Sequence, residues 1–196
     1  TERLSRLVNQ VLDMAKIESG QGDWRNDEID LRQLIAHALQ TTSQLFRERG
    51  ARVTVEQPDT VPALRADRDR LLQVLINLLS NAAKFVPEGA GRVNVTLRAD
   101  ARAATIEVRD NGPGVPVHER ARMLERFYRV AGTAGEGSGL GLAIAEEIAR
   151  VHNSHLQVLE GQLGLTLLIR DKHRLRLAPG AQDYAREVRR ALHALA

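Results

Sequence analysis

Three groups of residues have types and spacing that could do chemistry. Asn77, Asn81 and Lys84 stand at i, i+4 and i+7 in DRDRLLQVLINLLSNAAKF, on one face of an otherwise apolar run. A primary amide among leucines costs about 1–3 kcal/mol unless something satisfies it. The two amides therefore either cap neighbouring backbone or face a ligand. As ligand groups, amide oxygens are hard donors suited to Mg²⁺, and the lysine is a point charge for phosphate. The second group is Asp110-Asn111-Gly112-Pro113-Gly114, directly after ATIEVR. These are turn formers, so a plain strand-to-loop turn is one reading. The other is a carboxylate at a strand end that accepts from an exocyclic amine, with glycines that let a flat ring approach backbone. Such a site favours adenine over guanine. The third group is Gly135-Glu136-Gly137-Ser138-Gly139-Leu140-Gly141, opening LAIAEEIARVH. Free N–H groups at a helix start, with glycines permitting close approach, bind phosphate. A flexible hinge is the simple alternative. No Lys-Ser/Thr follows, so this is not a Walker loop, and without a feeding strand it fits the dinucleotide fingerprint poorly.

The elements that must position these groups follow from periodicity. Residues 2–18 carry Leu4, Leu7, Val8, Val11, Leu12, Ala15 and Ile17 at helical spacing, an amphipathic helix whose apolar stripe needs a partner. It begins without a capping residue, as expected where a longer helix continues upstream. SGQGDWRND, residues 19–27, breaks the pattern and marks a linker. A helix is predicted from Asp30 to about Arg49, stopped by Gly50, and the most apolar helix over residues 67–85. RVTVE, VNVTLRA, ATIEVRD, HLQVLE and GLTLLIRD read as strands. Residues 111–138 read as a long loop with a short helix around 118–127. A helix is expected from near Gly139 to near Asn153, and a final helical pattern follows Pro179-Gly180. Helices segregated from four or five strands suggest helices layered on one face of a mixed sheet.

Composition narrows the function classes. At 43% apolar and 27% charged, the 196 residues are globular, not disordered. There is no cysteine, which excludes a disulfide scaffold, a thiolate metal site and a cysteine nucleophile. The net charge is +3, but the basic residues are scattered and only six aromatics exist (three Phe, two Tyr, one Trp), so nucleic-acid binding is not expected. No apolar run approaches the roughly 18 residues of a membrane span, and no signal-peptide pattern opens the sequence.

The three groups follow one another within residues 71–141, each supplying a different part of a nucleotide site. In that order they resemble the ATP-binding domain of sensor histidine kinases, members of the GHKL ATPase superfamily. NLLSNAAKF is similar to that family's N box, DNGPG to its G1 box, ERFYR to its F box and GSGLGLAI to its G2 box. VNQVLDMAKIESG resembles the end of the second helix of the dimerisation and phosphotransfer hairpin. The resemblance covers about residues 1–170. It implies an α/β two-layer sandwich of the GHKL type: a mixed, mostly antiparallel sheet with helices on one face, preceded by one long helix. The implied boundaries are residues 1–19 for the hairpin helix, 20–28 for a linker, 29–170 for the ATP-binding domain and 171–196 for a C-terminal helical extension.

The resemblance also implies roles. Asn77 would coordinate Mg²⁺, Asn81 the phosphates or their metal, and Lys84 the phosphates. Phe85 would line the cleft. Asp110 would accept the adenine amine, with Gly112 and Gly114 shaping the base pocket. Gly137, Ser138, Gly139, Leu140 and Gly141 would meet the phosphates of ATP. Residues 115–138 would form a lid anchored by packing of Phe127. From the lid, Arg126 or Arg129 would reach the γ-phosphate or the partner helix, the plain alternative being surface charge. Asn77, Lys84, Arg126 and Arg129 form the implied catalytic set.

In hydrolytic members a Glu four residues before the first N-box Asn activates water. Here that position is Gln73, which cannot act as a base, and this favours transfer to a protein side chain. The family acceptor is a histidine on the first hairpin helix. None of His37, His118, His152, His155, His173 and His193 fits. Only His118 is followed by an acid, and it falls in the lid; His152 reads as structural. The acceptor is expected on a helix outside these residues, so the chain alone should bind ATP without autophosphorylating. The alternative that keeps the fold is a serine kinase of the anti-sigma-factor type. Implied partners are a response-regulator receiver domain, the protein's own phosphotransfer helices and a second copy through residues 4–17. The implied location is the bacterial cytoplasm, compatible with the cytoplasmic portion of an inner-membrane sensor.

Overall fold

The computed structural model describes residues 2–18, 24–100, 103–130, 138–152, 154–159 and 162–168. Helix α1 spans Glu2–Glu18 and strand β1 Asp27–Ile29. Helix α2 covers Leu31–Glu48, β2 Arg52–Glu56 and β3 Leu64–Ala66. Helix α3 covers Arg68–Phe85, β4 Arg92–Ala99 and β5 Ala103–Asp110. Helix α4 covers Gly141–Val151, β6 His155–Leu159 and β7 Gln162–Leu168.

Local chemistry sets the helix ends. Asp30 caps α2, its carboxylate accepting from the Arg32 amide at 2.8 Å. Asp67 caps α3, accepting from the Arg70 amide at 3.0 Å. Val86, extended at ψ 147°, stops α3 because the following Pro87 disfavours helical backbone before it.

The five-stranded sheet has the order β2-β4-β5-β7-β6. β2 runs parallel to β4 and the remaining neighbours are antiparallel. Period two sorts its faces: Val93, Val95, Leu97, Ala104, Ile106 and Val108 are buried, while Asn94, Thr96, Thr105 and Glu107 alternate with them. The buried residues of α2, α3 and α4 join them in one core, with Leu71, Val74, Leu78 and Ile148 fully enclosed. The expected two-layer sandwich is what the chain forms.

Several expectations are corrected. β1 and β3 were not expected; at three residues each they are too short for periodicity to register, and they form a separate antiparallel pair, Asp27 opposite Ala66. Residues 24–28, expected in the linker, are part of the body. Trp24 packs against the core and sits edge-on to His152 at 5.4 Å, and the Arg25 amide donates to Asp67 at 3.0 Å. The short helix expected around 118–127 is instead two 3₁₀ turns, Val117–Glu119 and Arg122–Leu124. Helix α1 finds a partner in the domain itself: Met14 and Ile17 are buried in the common core, while Val8, Val11 and Leu12 stay exposed. Asn153 and the expected helix after Pro179-Gly180 lie outside the described residues.

Candidate functional site

Helix α3 is the spine of the site. Its apolar positions face the sheet, which leaves Asn77, Asn81 and Lys84 half-buried along a different side. Two neighbours meet it there. At Asn77 the Nδ2 group donates to the Gly141 carbonyl at 2.9 Å, tying α3 to the first residue of α4. This bond uses the amide nitrogen and leaves Oδ1 as an acceptor next to Gly141; a Cβ on that glycine would lie 3.7 Å from it.

The other end of α3 meets the corner after β5. The Gly112 amide donates to Asp110 Oδ1 at 2.7 Å. A Cβ on Gly112 would stand 2.7 Å from that oxygen and 2.9 Å from the Phe85 carbonyl, so only glycine fits. Asn111 locks the corner in place: its Oδ1 accepts from the Arg92 amide at 2.7 Å and its Nδ2 donates to the Ala90 carbonyl at 3.1 Å. Burial raises the Asp110 carboxyl from its ordinary value, and the Gly112 hydrogen bond opposes that shift. Gly114 has a left-handed φ of +72° and open space where a side chain would be. From Asn77 to Phe85 the α3 axis advances about 12 Å, which sets the spacing between the amide end and the carboxylate end.

Positive charge stands in the last turn of the same helix. Lys84 Nζ lies 4.9 Å from the centre of the Phe85 ring. Burial first, and then the nearby Arg129 guanidinium, lower the Lys84 ammonium from its ordinary value. Two cations brought close together favour an anion between them. Arg126 and Arg129 are both exposed.

The glycine-rich segment is built on main chain. Gly139 has φ +73°, and a Cβ there would come within 2.7 Å of the Phe127 carbonyl carbon. The Phe127 amide donates to the Gly139 carbonyl at 3.0 Å. Phe127 itself is left-handed at φ 60°, and its side chain is 60% exposed. The anchor expected from its ring is therefore a backbone contact. Ser138 Oγ accepts from the Leu140 amide at 3.2 Å and donates to Gln10 Oε1 of α1 at 2.7 Å. Gly137 lies outside the described residues. The carboxamide of Asn81 has no hydrogen-bond partner among the described residues.

Sequence reasoning missed three residues that hold this arrangement. Asp67, 5% exposed, joins the α3 cap to the Arg25 amide, and its own amide donates to His152 Nε2 at 3.1 Å. Because a backbone amide can only donate, Nε2 is the acceptor and Nδ1 carries the proton given to the Ile148 carbonyl at 2.8 Å. An aspartate directly ahead of the apolar helical run was a legible cap signal for Asp67. Gln10 and Asp13 of α1 gave no such signal. Asp13 accepts from Arg70 Nη1 at 2.7 Å and from Gln73 Nε2 at 2.6 Å, so the Gln73 side chain is engaged by α1. A cavity of about 420 Å³ opens beside them, lined by Asn9, Gln10, Leu12, Asp13, Lys16 and Gln73.

Known proteins are similar to this chain. The chain is 35% identical over 161 residues to the swarming motility regulation sensor protein RssA of Serratia marcescens, a match covering 82% of this chain and 34% of that protein. It is 34% identical over 165 residues to the sensor protein QseC of Escherichia coli (strain K12), covering 83% and 35%. The chain thus spans about a third of the length of these relatives. Among solved structures, full-length ShkA in complex with AMPPNP superposes with a TM-score of 0.75 at 28% identity, covering 90% of this chain and 38% of that one. The mycobacterial sensor histidine kinase MprB superposes at 0.64 with 30% identity, covering 74% and 99%. The family model described as histidine kinase-, DNA gyrase B- and HSP90-like ATPase matches residues 66–177, more than half of the sequence. With that match lying over α3, the Asp110 corner and α4, the chain belongs to the family of histidine kinase-, DNA gyrase B- and HSP90-like ATPases.

Proposed function

We propose that this chain is the Mg·ATP-binding catalytic part of a two-component sensor histidine kinase. In this reading the γ-phosphoryl group passes to a histidine on a hairpin helix outside these residues, and from there to an aspartate of a response regulator. The observation that carries it is the double engagement of α3. Asn77 bonds the start of α4, and the Phe85 carbonyl abuts the Asp110–Gly112 corner, which supports reading base-accepting and phosphate-accepting groups as parts of one nucleotide site. The relatives named as sensor proteins, and a neighbour solved with AMPPNP, point the same way.

Asp110 accepts the adenine amine, with Gly112 and Gly114 leaving room for the ring. Phe85 flanks the cleft. Lys84 and Arg129, adjacent cations, take the phosphates, and Arg126 lies on the same lid. The amides of Ser138 to Gly141 supply further donors, and Gly137 extends them. Asn77 Oδ1, its amide nitrogen already committed to Gly141, is a hard oxygen that fits Mg²⁺; Asn81 is the second amide. Mg²⁺, which typically keeps several waters and shares its shell with substrate phosphates, would neutralise charge on the phosphate chain when bound. The protein's contribution to transfer is positioning and charge stabilisation while an acceptor imidazole nitrogen forms its bond to the γ-phosphorus and the bond to ADP breaks. Gln73, held by Asp13, offers no base for water, which supports transfer over hydrolysis.

We read α1 as the end of the second hairpin helix. Its exposed Val8, Val11 and Leu12 suit a bundle with the acceptor helix of this reading and with a second copy. No helix of the described residues is long and apolar enough to cross a membrane; a cytoplasmic position, within or apart from a membrane-anchored parent, belongs to this proposal. The test is transfer in trans: the chain, a separately made acceptor helix and γ-labelled ATP. Acid-labile phosphate on the added helix is expected. Acid-stable phosphate, or label released only as inorganic phosphate, would overturn the reading.

A further inference from the structure

Two polar contacts join α1 to the domain, one just ahead of α4 and the other in the first turns of α3. At one end Ser138 Oγ donates to Gln10 Oε1 at 2.7 Å while accepting from the Leu140 amide at 3.2 Å. At the other, Asp13 receives Gln73 Nε2 at 2.6 Å and Arg70 Nη1 at 2.7 Å, and Arg70 Nη1 also reaches Gln73 Oε1 at 3.0 Å. Gln10 and Asp13 are three residues apart and share one helix face. Met14 and Ile17, buried in the core, fix that face against the domain. The clasp thus has a set register.

The chemistry of Ser138 gives the clasp a consequence. A serine hydroxyl has one proton, and here it points at Gln10. Donating that proton makes Oγ a better acceptor, which strengthens its hold on the Leu140 N–H. Both the hydroxyl proton and the Leu140 amide are donors that an incoming phosphate at the start of α4 would use. We propose that docked α1 keeps the phosphate cradle in a state of low nucleotide affinity, Gln10 being a positioning residue that acts through Ser138 and Asp13 the residue that sets its register. The inference rests on the nucleotide reading above. By linkage it is reciprocal: nucleotide that takes the Ser138 and Leu140 donors must loosen α1 by the same factor. Occupancy of the cleft and release of α1 become one equilibrium.

The test is a cycle of variants on the full chain, with Mg·ATP affinity by calorimetry and amide hydrogen exchange with and without Mg·ATP. Gln10→Ala is expected to tighten Mg·ATP about two- to tenfold, the worth of one neutral hydrogen bond. The gain should persist in a Ser138→Thr background, which keeps the hydroxyl, and vanish in Ser138→Ala. Asp13→Asn should tighten binding in the same direction. In the unliganded chain Gln10→Ala should speed exchange of the Leu140 amide, and adding Mg·ATP to the wild type should speed exchange of α1. If the wild type binds Mg·ATP while Gln10→Ala leaves affinity unchanged or weaker, or if its gain survives Ser138→Ala, the clasp is structural only and the inference is overturned. If no variant binds nucleotide, the functional reading fails and takes this inference with it.

Discussion

Asp110→Asn separates the cost of the site from its use. The carboxylate is partly buried at the end of β5, satisfied within the chain by the Gly112 amide, and raised from its ordinary value by burial. A carboxyl whose folded-state value is raised binds a proton more readily when folded. Stability therefore declines as pH rises from the ordinary value through the raised one. At neutral pH the charge is a liability to the fold. Asparagine removes the charge and keeps an oxygen for the Gly112 amide, so the variant should melt at the same temperature as wild type or higher. That advantage should disappear at pH below both values. Nucleotide binding should move oppositely. A hydrogen bond to a charged acceptor is worth about 1.5–3 kcal/mol, so Asp110→Asn should weaken Mg·ATP about 10- to 150-fold and erode the preference for ATP over GTP. For the same reason wild-type affinity should fall as pH drops through the raised Asp110 value. Calorimetry against ATP and GTP, with scanning calorimetry across acidic and neutral pH, measures both sides. An affinity within twofold of wild type, or a clear loss of stability at neutral pH, would refute the reasoning.

Three further outcomes follow from the geometry. Gly139→Ala forces a left-handed alanine and a Cβ 2.7 Å from the Phe127 backbone, and should cost about 2 kcal/mol or more in urea unfolding along with nucleotide affinity. Asp67→Ala removes the α3 cap and the acceptor of the Arg25 amide, and should destabilise by about 1–3 kcal/mol without changing the ATP-over-GTP preference. The His152 ring should carry its proton on Nδ1, readable from its ring nitrogen shifts; an Nε2-protonated ring would contradict the Asp67 hydrogen bond.

Much of this arrangement was legible in the residues, and the reasons differ by element. Helix α3, α4 and the pair β4–β5 carry long unambiguous periods, so their presence and their place around Asn77 and Asp110 could be read directly. The corner at Gly112 was legible because turn residues crowd there, and its steric need is now explicit. What failed was short or relational. β1 and β3 have three residues each, below what a period of two can declare. Trp24 was hidden in a Gly- and Asp-rich stretch that reads as linker, although its ring is held by His152 more than a hundred residues away. The family resemblance made Phe127 a packing anchor for the lid, but its own left-handed backbone, paired with Gly139, does the anchoring. The clasp of Gln10 and Asp13 has no local signature, because a polar residue on a helix is ordinary until the surface opposite it is known.

The most direct test of a shared cleft is a per-residue amide footprint of Mg·ATP on the 196-residue chain by NMR. The account predicts saturable shifts that gather at Asn77, Asn81, Lys84, Asp110 to Gly112 and Gly139 to Gly141. Shifts confined to the outer face of the sheet, or none at millimolar nucleotide, would contradict it.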